Sequence, residues 1–144
     1  MNSERFERNR DSDLDIRQLA HQEISGIRLY GAVDSPSADG VLLELQDSSV
    51  SIAINHDDDS LYWKKGNIFP QDDGQIEKTT TGLQNYFGVI VFIWAMRNQG
   101  GCLDALQIEV LSKEGGYKTL QFMGAASMIS LHSLVAMPVE LLAP

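Results

Sequence analysis

The residues best suited to chemistry in this chain are three consecutive carboxylates, Asp57, Asp58 and Asp59, preceded by Asn55 and His56. Oxygen donors at alternate positions are how a calcium-binding loop begins. The spacing then departs from one, because Ser60 stands where such a loop needs glycine and Gly66 where its closing glutamate belongs. Three readings remain for this stretch: a looser divalent-ion site, an acidic docking surface for a basic partner, and a plain solvated turn between strands. Asp72 and Asp73 extend the acidity downstream, and Tyr62 and Trp63 place two aromatic rings between the two groups of acids.

Other reactive side chains do not assemble into a known constellation. His21, His56 and His132 fall at unrelated spacings, and the one cysteine, Cys102, cannot complete a zinc set with them. Cys102 follows two glycines without an identifiable base and reads as a small apolar strand residue. His132 sits in an apolar stretch, as a satisfied core or edge histidine does. The chain has no GxSxG, no GxxxxGK and no GxGxxG. An enzyme is therefore not expected, and neither is a metal or cofactor.

The elements that must carry these residues are mostly strands. Residues 41–45 and 50–54 carry apolar residues at every second position and flank Asp47-Ser48-Ser49, which predicts a hairpin. Residues 55–74 form an acidic, turn-rich region in which Leu61-Tyr62-Trp63 pairs briefly or packs inward. Residues 76–86 have no clear period and lean extended. Val89 to Met96 is an unbroken apolar run of strand length, which predicts a central strand buried on both faces, with Phe92 and Trp94 together on one of them in the core. Glycine turns at Gly100-Gly101 and Gly115-Gly116 separate it from two alternating strands, 104–111 and 117–123. These three strands form an antiparallel meander in the C-terminal half. Residues 125–137 fit either a final strand or a short helix.

At the other end, residues 1–12 read as a flexible N-terminus, and 13–21 as a short helix capped by Ser12 or Asp13 with an apolar pattern at Leu14, Ile16, Leu19 and Ala20. The expected fold class is α+β: a mainly antiparallel sheet with a short N-terminal helix, in a single domain spanning 13–144. Turn residues fill the segment from Asp34 to Gly40.

Composition narrows the function. The chain has 144 residues, and apolar types make up 43% of them, enough for one packed domain without a metal or disulfide. Its 11 basic and 20 acidic residues leave a net charge of -9, which argues against binding nucleic acid or an anionic membrane. The acidity is local: residues 1–75 carry 15 acids and 7 bases, whereas 76–144 carry 5 and 4. The expected picture is a near-neutral sheet scaffold with an acidic loop face. The polar start lacks the apolar stretch of a secretory signal, and the eight-residue apolar run is too short to cross a bilayer as a helix. A cytoplasmic protein is expected.

Around Trp94-Ala95-Met96-Arg97-Asn98-Gln99-Gly100-Gly101, followed by Asp104-Ala105-Leu106-Gln107-Ile108, the sequence resembles small bacterial domains of similar length. As a whole, in size, acidity, β-rich pattern and want of an enzyme motif, it resembles the acidic immunity proteins of bacterial polymorphic and contact-dependent toxin systems. The resemblance implies a protein-binding inhibitor that neutralises a cognate toxin domain, usually a basic nuclease. The expected contact set is Asp57, Asp58, Asp59, Asp72 and Asp73 for steering, with Tyr62 or Trp63 as a buried anchor. The alternatives are a small β-rich ligand- or metal-binding module using residues 55–59, and a structural subunit of a larger assembly; homo-oligomerisation is left open.

Overall fold

The computed structural model describes residues 15–31, 38–69, 76–78 and 82–134. Within them, nine strands form one antiparallel sheet: β1 (Glu23–Gly31), β2 (Gly40–Leu45), β3 (Ser49–Ile54), β4 (Leu61–Lys65), β5 (Ile76–Lys78), β6 (Gly88–Arg97), β7 (Leu103–Ser112), β8 (Tyr117–Ala125) and β9 (Met128–Leu134). Eight lie in the order β4-β3-β2-β1-β6-β7-β8-β9, and β5 pairs with β1 off this path. The sheet is thus two four-stranded meanders joined edge to edge. Among the described residues, no helix is long and apolar enough to cross a membrane.

The join is narrow. One edge of β1 runs along β2, while its other edge is shared, with Glu23 and Ile24 facing Val89 and Gly88 of β6 and Leu29, Tyr30 and Gly31 facing β5. Within the strands two residue pairs therefore join β1 to β6, extended by the backbone bonds of His21 and Gln22 to Ile90, and the sheet folds over there. The inward side chains of both halves meet in one core: Val41, Leu43 and Ile52 from the first, Leu106, Ile108 and Phe122 from the second. Reciprocal backbone hydrogen bonds between Ala38 and Ile129, at 2.9 and 2.6 Å, fasten β9 back to the chain entering β2.

The two meanders differ on their outer faces. In the first, Tyr30, Leu42, Ser51 and Ala53 point away from the core and yet are buried. The chain leaving β4 crosses back over them: Ile68 donates its N–H to the Ser51 hydroxyl at 3.1 Å, and Phe69 stacks on Tyr30 with ring centroids 5.0 Å apart. In the second, no such segment among the described residues covers the sheet. Phe92 and Trp94 on β6 are 56% and 41% exposed, which corrects the expectation of a strand buried on both faces with both rings in the core. β6 is central in strand order but covered on its inner face alone, where Ile90 is fully buried.

The N-terminal helix is also corrected. Within 15–21 there is a four-residue 3-10 turn, Ile16–Leu19, and the described residues contain no α-helix. Asp15 caps this turn, accepting from the Arg17 N–H at 3.0 Å, and its paired guanidinium holds the Asp15 carboxyl below the usual carboxylate range. Two turns of α-helix cannot follow, because His21 donates to the Ile90 carbonyl at 2.7 Å and Ile90 donates to Gln22 at 2.8 Å. Sheet pairing beside β6 claims the backbone before a second helical turn closes. With only a second 3-10 turn at Leu83–Tyr86, the α+β class gives way to an antiparallel β domain over the described residues. The segment left undecided at 125–137 holds strand β9, and residues 76–78 are a short strand. The hairpin over β2 and β3 and the meander over β6, β7 and β8 agree with the sequence reading. The flexible stretch expected at 1–12, the caps Ser12 and Asp13, and most of the turn at 34–40 lie outside the described residues.

Candidate functional site

The aspartate triplet forms the turn between β3 and β4. Asn55 donates to the Ser60 carbonyl and Asp59 to the Asn55 carbonyl, both at 2.8 Å, closing a four-residue loop. Its side chains brace it: the Asn55 amide oxygen accepts from the Asp57 N–H at 3.0 Å, and one Asp58 oxygen accepts from the N–H and hydroxyl of Ser60 at 2.9 and 2.6 Å. Asp59 sits at φ 61°, a left-handed conformation that aspartate tolerates better than most residues.

Asp59 also reaches 68 residues along the chain, where its carboxylate accepts from the Ser127 N–H at 2.8 Å. Ala126 and Ser127 are the two central residues of the β8–β9 turn, at φ 52° and 60°. A two-residue hairpin turn with both φ values positive normally uses Asn-Gly. Here two non-glycine residues hold that geometry while the Asp59 carboxylate fixes their amide. Gly124 lies under the Asp59 carbonyl, where a side chain would collide with it.

A third turn adjoins the other two. Residues 98–102 connect β6 to β7, with the Asn98 side-chain oxygen accepting from Gly100 and Cys102 at 2.9 and 3.1 Å. The Cys102 thiol lies 4.0 Å from an Asp58 oxygen. Arg97 donates to the Gly101 carbonyl at 2.8 Å within this same turn. Three hairpin turns therefore meet at one end of the molecule, with the exposed Asp57 and Asp58 among them.

This geometry sorts the expected contact residues. Asp57, Asp58 and Asp59 are brought to one turn, but Asp59 is turned inward as a latch. Tyr62 points to the outer face of β4, half-buried, and burial pushes its phenol up, so it stays neutral at physiological pH. Trp63 faces the other way and is 5% exposed in the core, which removes it as an anchor. Strand alternation decides this: Leu61 and Trp63 point inward, so Tyr62 cannot. Asp72 and Asp73 lie outside the described residues. Among the described residues, no three His, Cys, Asp or Glu side chains are grouped to hold a metal ion.

The latch carries an expected result. Asp59→Ala should cost about 1–2 kcal/mol, because it orphans the Ser127 amide, whereas Glu114→Gln in the exposed β7–β8 turn should stay within about 0.5 kcal/mol of the wild type. Urea unfolding of the two variants is the measurement; equal midpoints would remove the latch role.

Two features escaped the sequence reading. One is the exposed apolar face of the second meander, on which Val89, Phe92, Trp94, Leu111 and Tyr117 lie. Its signal was legible on the neighbouring strands, where the outward positions of β7 and β8 include Gln107, Glu109, Thr119 and Gln121. Polar residues there fit a sheet face that no further layer among the described residues covers. The other is a cleft of about 500 Å³ between the first 3-10 turn and the β2–β3 turn, lined by Gln18, Leu19, Gln22, Ser49 and Lys65, among others. Its walls come from segments far apart in sequence and carry no motif.

These observations define an antiparallel β domain with a braced acidic turn end and an exposed aromatic sheet face. Residues 8–137 match a family of unknown function, DUF6334, and the chain belongs to it. No curated protein and no solved structure matches the chain.

Proposed function

We propose that the protein is a stoichiometric protein-binding inhibitor of the immunity type, acting in the cytoplasm on a cognate, basic, nuclease-type toxin domain. The observation that supports this most is the meeting of three turns at one end of the sheet, with the acidic β3–β4 turn braced by its own side chains and by Ser127. A turn held this way loses little conformational entropy on binding, so its charge acts on the partner from the first encounter. Asp57 and Asp58 steer, Tyr62 adds an aromatic flank beside the turn, and Asp72 and Asp73 complete the acidic set. Docked over a basic groove, these carboxylates would take the place of substrate phosphates. The runner-up, a small-ligand module, is favoured by the cleft beside the first 3-10 turn.

The test begins with recovery of the tagged protein from its native lysate at low and moderate salt. A single basic toxin-like domain, recovered in equal amount and weakening as salt rises, is the expected result. With that domain purified, Asp57→Asn/Asp58→Asn should slow association roughly 3–10-fold at low salt and flatten its salt dependence. Asparagine at 58 keeps a side-chain oxygen to accept from Ser60, and the Asp57 backbone N–H that bonds to Asn55 is untouched. Unchanged association kinetics would sink the steering role, and recovery of no partner would favour the ligand module.

A further inference from the structure

We propose that the outer face of the β6–β9 meander is an interface between two copies of this chain, stacked sheet on sheet. The face is defined by register. Val89, Leu111 and Tyr117 form one cross-strand row; Phe92, Glu109 and Thr119 the next; Trp94, Gln107, Gln121 and His132 the third; Met96, Ala105, Met123 and Ser130 the fourth. Five of the six large apolar side chains with substantial exposure among the described residues stand on it, and Phe92 and Trp94 stack with ring centroids 5.5 Å apart. Scattered apolar residues on a surface are ordinary, whereas a contiguous patch rimmed by polar side chains marks an interaction site.

Size, charge and hydrogen bonding choose the occupant. Four strands about 4.8 Å apart and about eight residues long at 3.3 Å each span roughly 500 Å² in flat projection. Two such faces together bury about 1,000 Å², where specific interfaces begin. The rows contain one acid, Glu109, and no lysine or arginine, although the chain has a net charge of -9. A basic partner finds its counter-charges at the turns rather than here, and a second copy meets little repulsion through this face. At the centre, the Gln121 amide donates to the Gln107 oxygen at 3.4 Å. Each carboxamide is both donor and acceptor, so this row is complementary to itself across a two-fold axis. Two such sheets pack at about 10 Å with their twist aligned, as the layers of a sandwich do. The acidic turns then remain free on each copy.

Sedimentation equilibrium of the wild-type chain between about 1 and 100 µM, at two salt concentrations, tests this. The expected result is a reversible dimer that strengthens as salt rises, since screening relieves the repulsion of two acidic chains. Phe92→Thr/Trp94→Thr, which keeps β propensity, should halve the mass at about 100 µM. A second readout needs no variant. Trp63 is 5% exposed, so acrylamide-quenchable emission comes from Trp94, and it should fall as the dimer forms. A monomer across the whole range would overturn the proposal and leave the face to a different protein. A dimer that survives the double substitution, or dissociates as salt rises, would overturn it too, because another surface or a charge contact would then hold it.

Discussion

Gly88→Ala should lower the unfolding free energy by about 3–5 kcal/mol, a large part of what a domain of this size possesses. Gly88 begins β6 at the join of the two meanders, paired with Ile24 on β1 and with Ser112 on β7. Its φ of 153° lies outside the region that L side chains favour, and an added Cβ would overlap the Leu111 carbonyl and come within 3.1 Å of the Ser112 Cα. Those are backbone atoms of an adjacent strand, so no rotamer change relieves the contact. β7 is held in place as well, because Lys113 donates to the Phe87 carbonyl at 2.9 Å. Steric overlap of 1–3 kcal/mol adds to backbone strain of about the same size. With only two residue pairs between β1 and β6, loss of this one loosens the whole join. Urea unfolding followed by circular dichroism checks it; a cost below about 1 kcal/mol would mean that β6 and β7 accommodate the methyl without loosening the join.

Gly124→Val should lower Tm by about 10 °C, corresponding to about 2–4 kcal/mol, and should weaken partner binding as well. Gly124 lies on β8 opposite Ile129, and the space a side chain needs is already filled by the Asp59 carbonyl, with Leu61 and Ile54 side-chain carbons 3.1 and 3.2 Å away. The two leucine and isoleucine methyls can yield, but the Asp59 carbonyl can move only if the β3–β4 turn moves. That displacement would break the Asp59–Ser127 hydrogen bond and release the acidic turn from the other two. Stability is read by thermal unfolding and binding by titration with the basic domain that the proposed function calls for. A valine variant with Tm within about 3 °C of the wild type would show that the turn is not seated on β8.

Where local chemistry decides structure, the sequence was legible. Gly100-Gly101 and Gly115-Gly116 lie in the turns that bound β7, and Asp47-Ser48 in the turn of the β2–β3 hairpin, because turn backbone conformations select residue types directly. Alternation also placed the inward residues of β7 and β8. It failed on β6, where every residue from Val89 to Met96 is apolar and alternation is silent. It failed differently on the first meander, whose outward Ser51 is buried because residues 66–69 fold back across it and offer the Ile68 amide and Gly66 carbonyl as partners. The expected helix was lost to a similar competition, since the backbone of His21 and Gln22 bonds to Ile90 rather than to its own turn.

The aspartate triplet shows the same division most plainly. Residue types alone marked 55–74 as acidic and turn-rich, with a solvated turn between strands as one of three readings of the triplet, since Asn and Asp side chains bond to backbone amides two residues on whatever lies nearby. They could not assign three adjacent, chemically identical carboxylates to different tasks. That depended on folding one meander over the other, which placed the Ser127 amide beside Asp59 and the Cys102 turn beside Asp58. Acidity, strand content and turn positions are properties of short stretches and were determined by the sequence itself. Which carboxylate is a latch, which face of β6 meets water, and where the two meanders join depend on contacts between residues dozens of positions apart. Only the tertiary structure decided those, because burial and hydrogen-bond partners belong to the packed chain and to no segment of it.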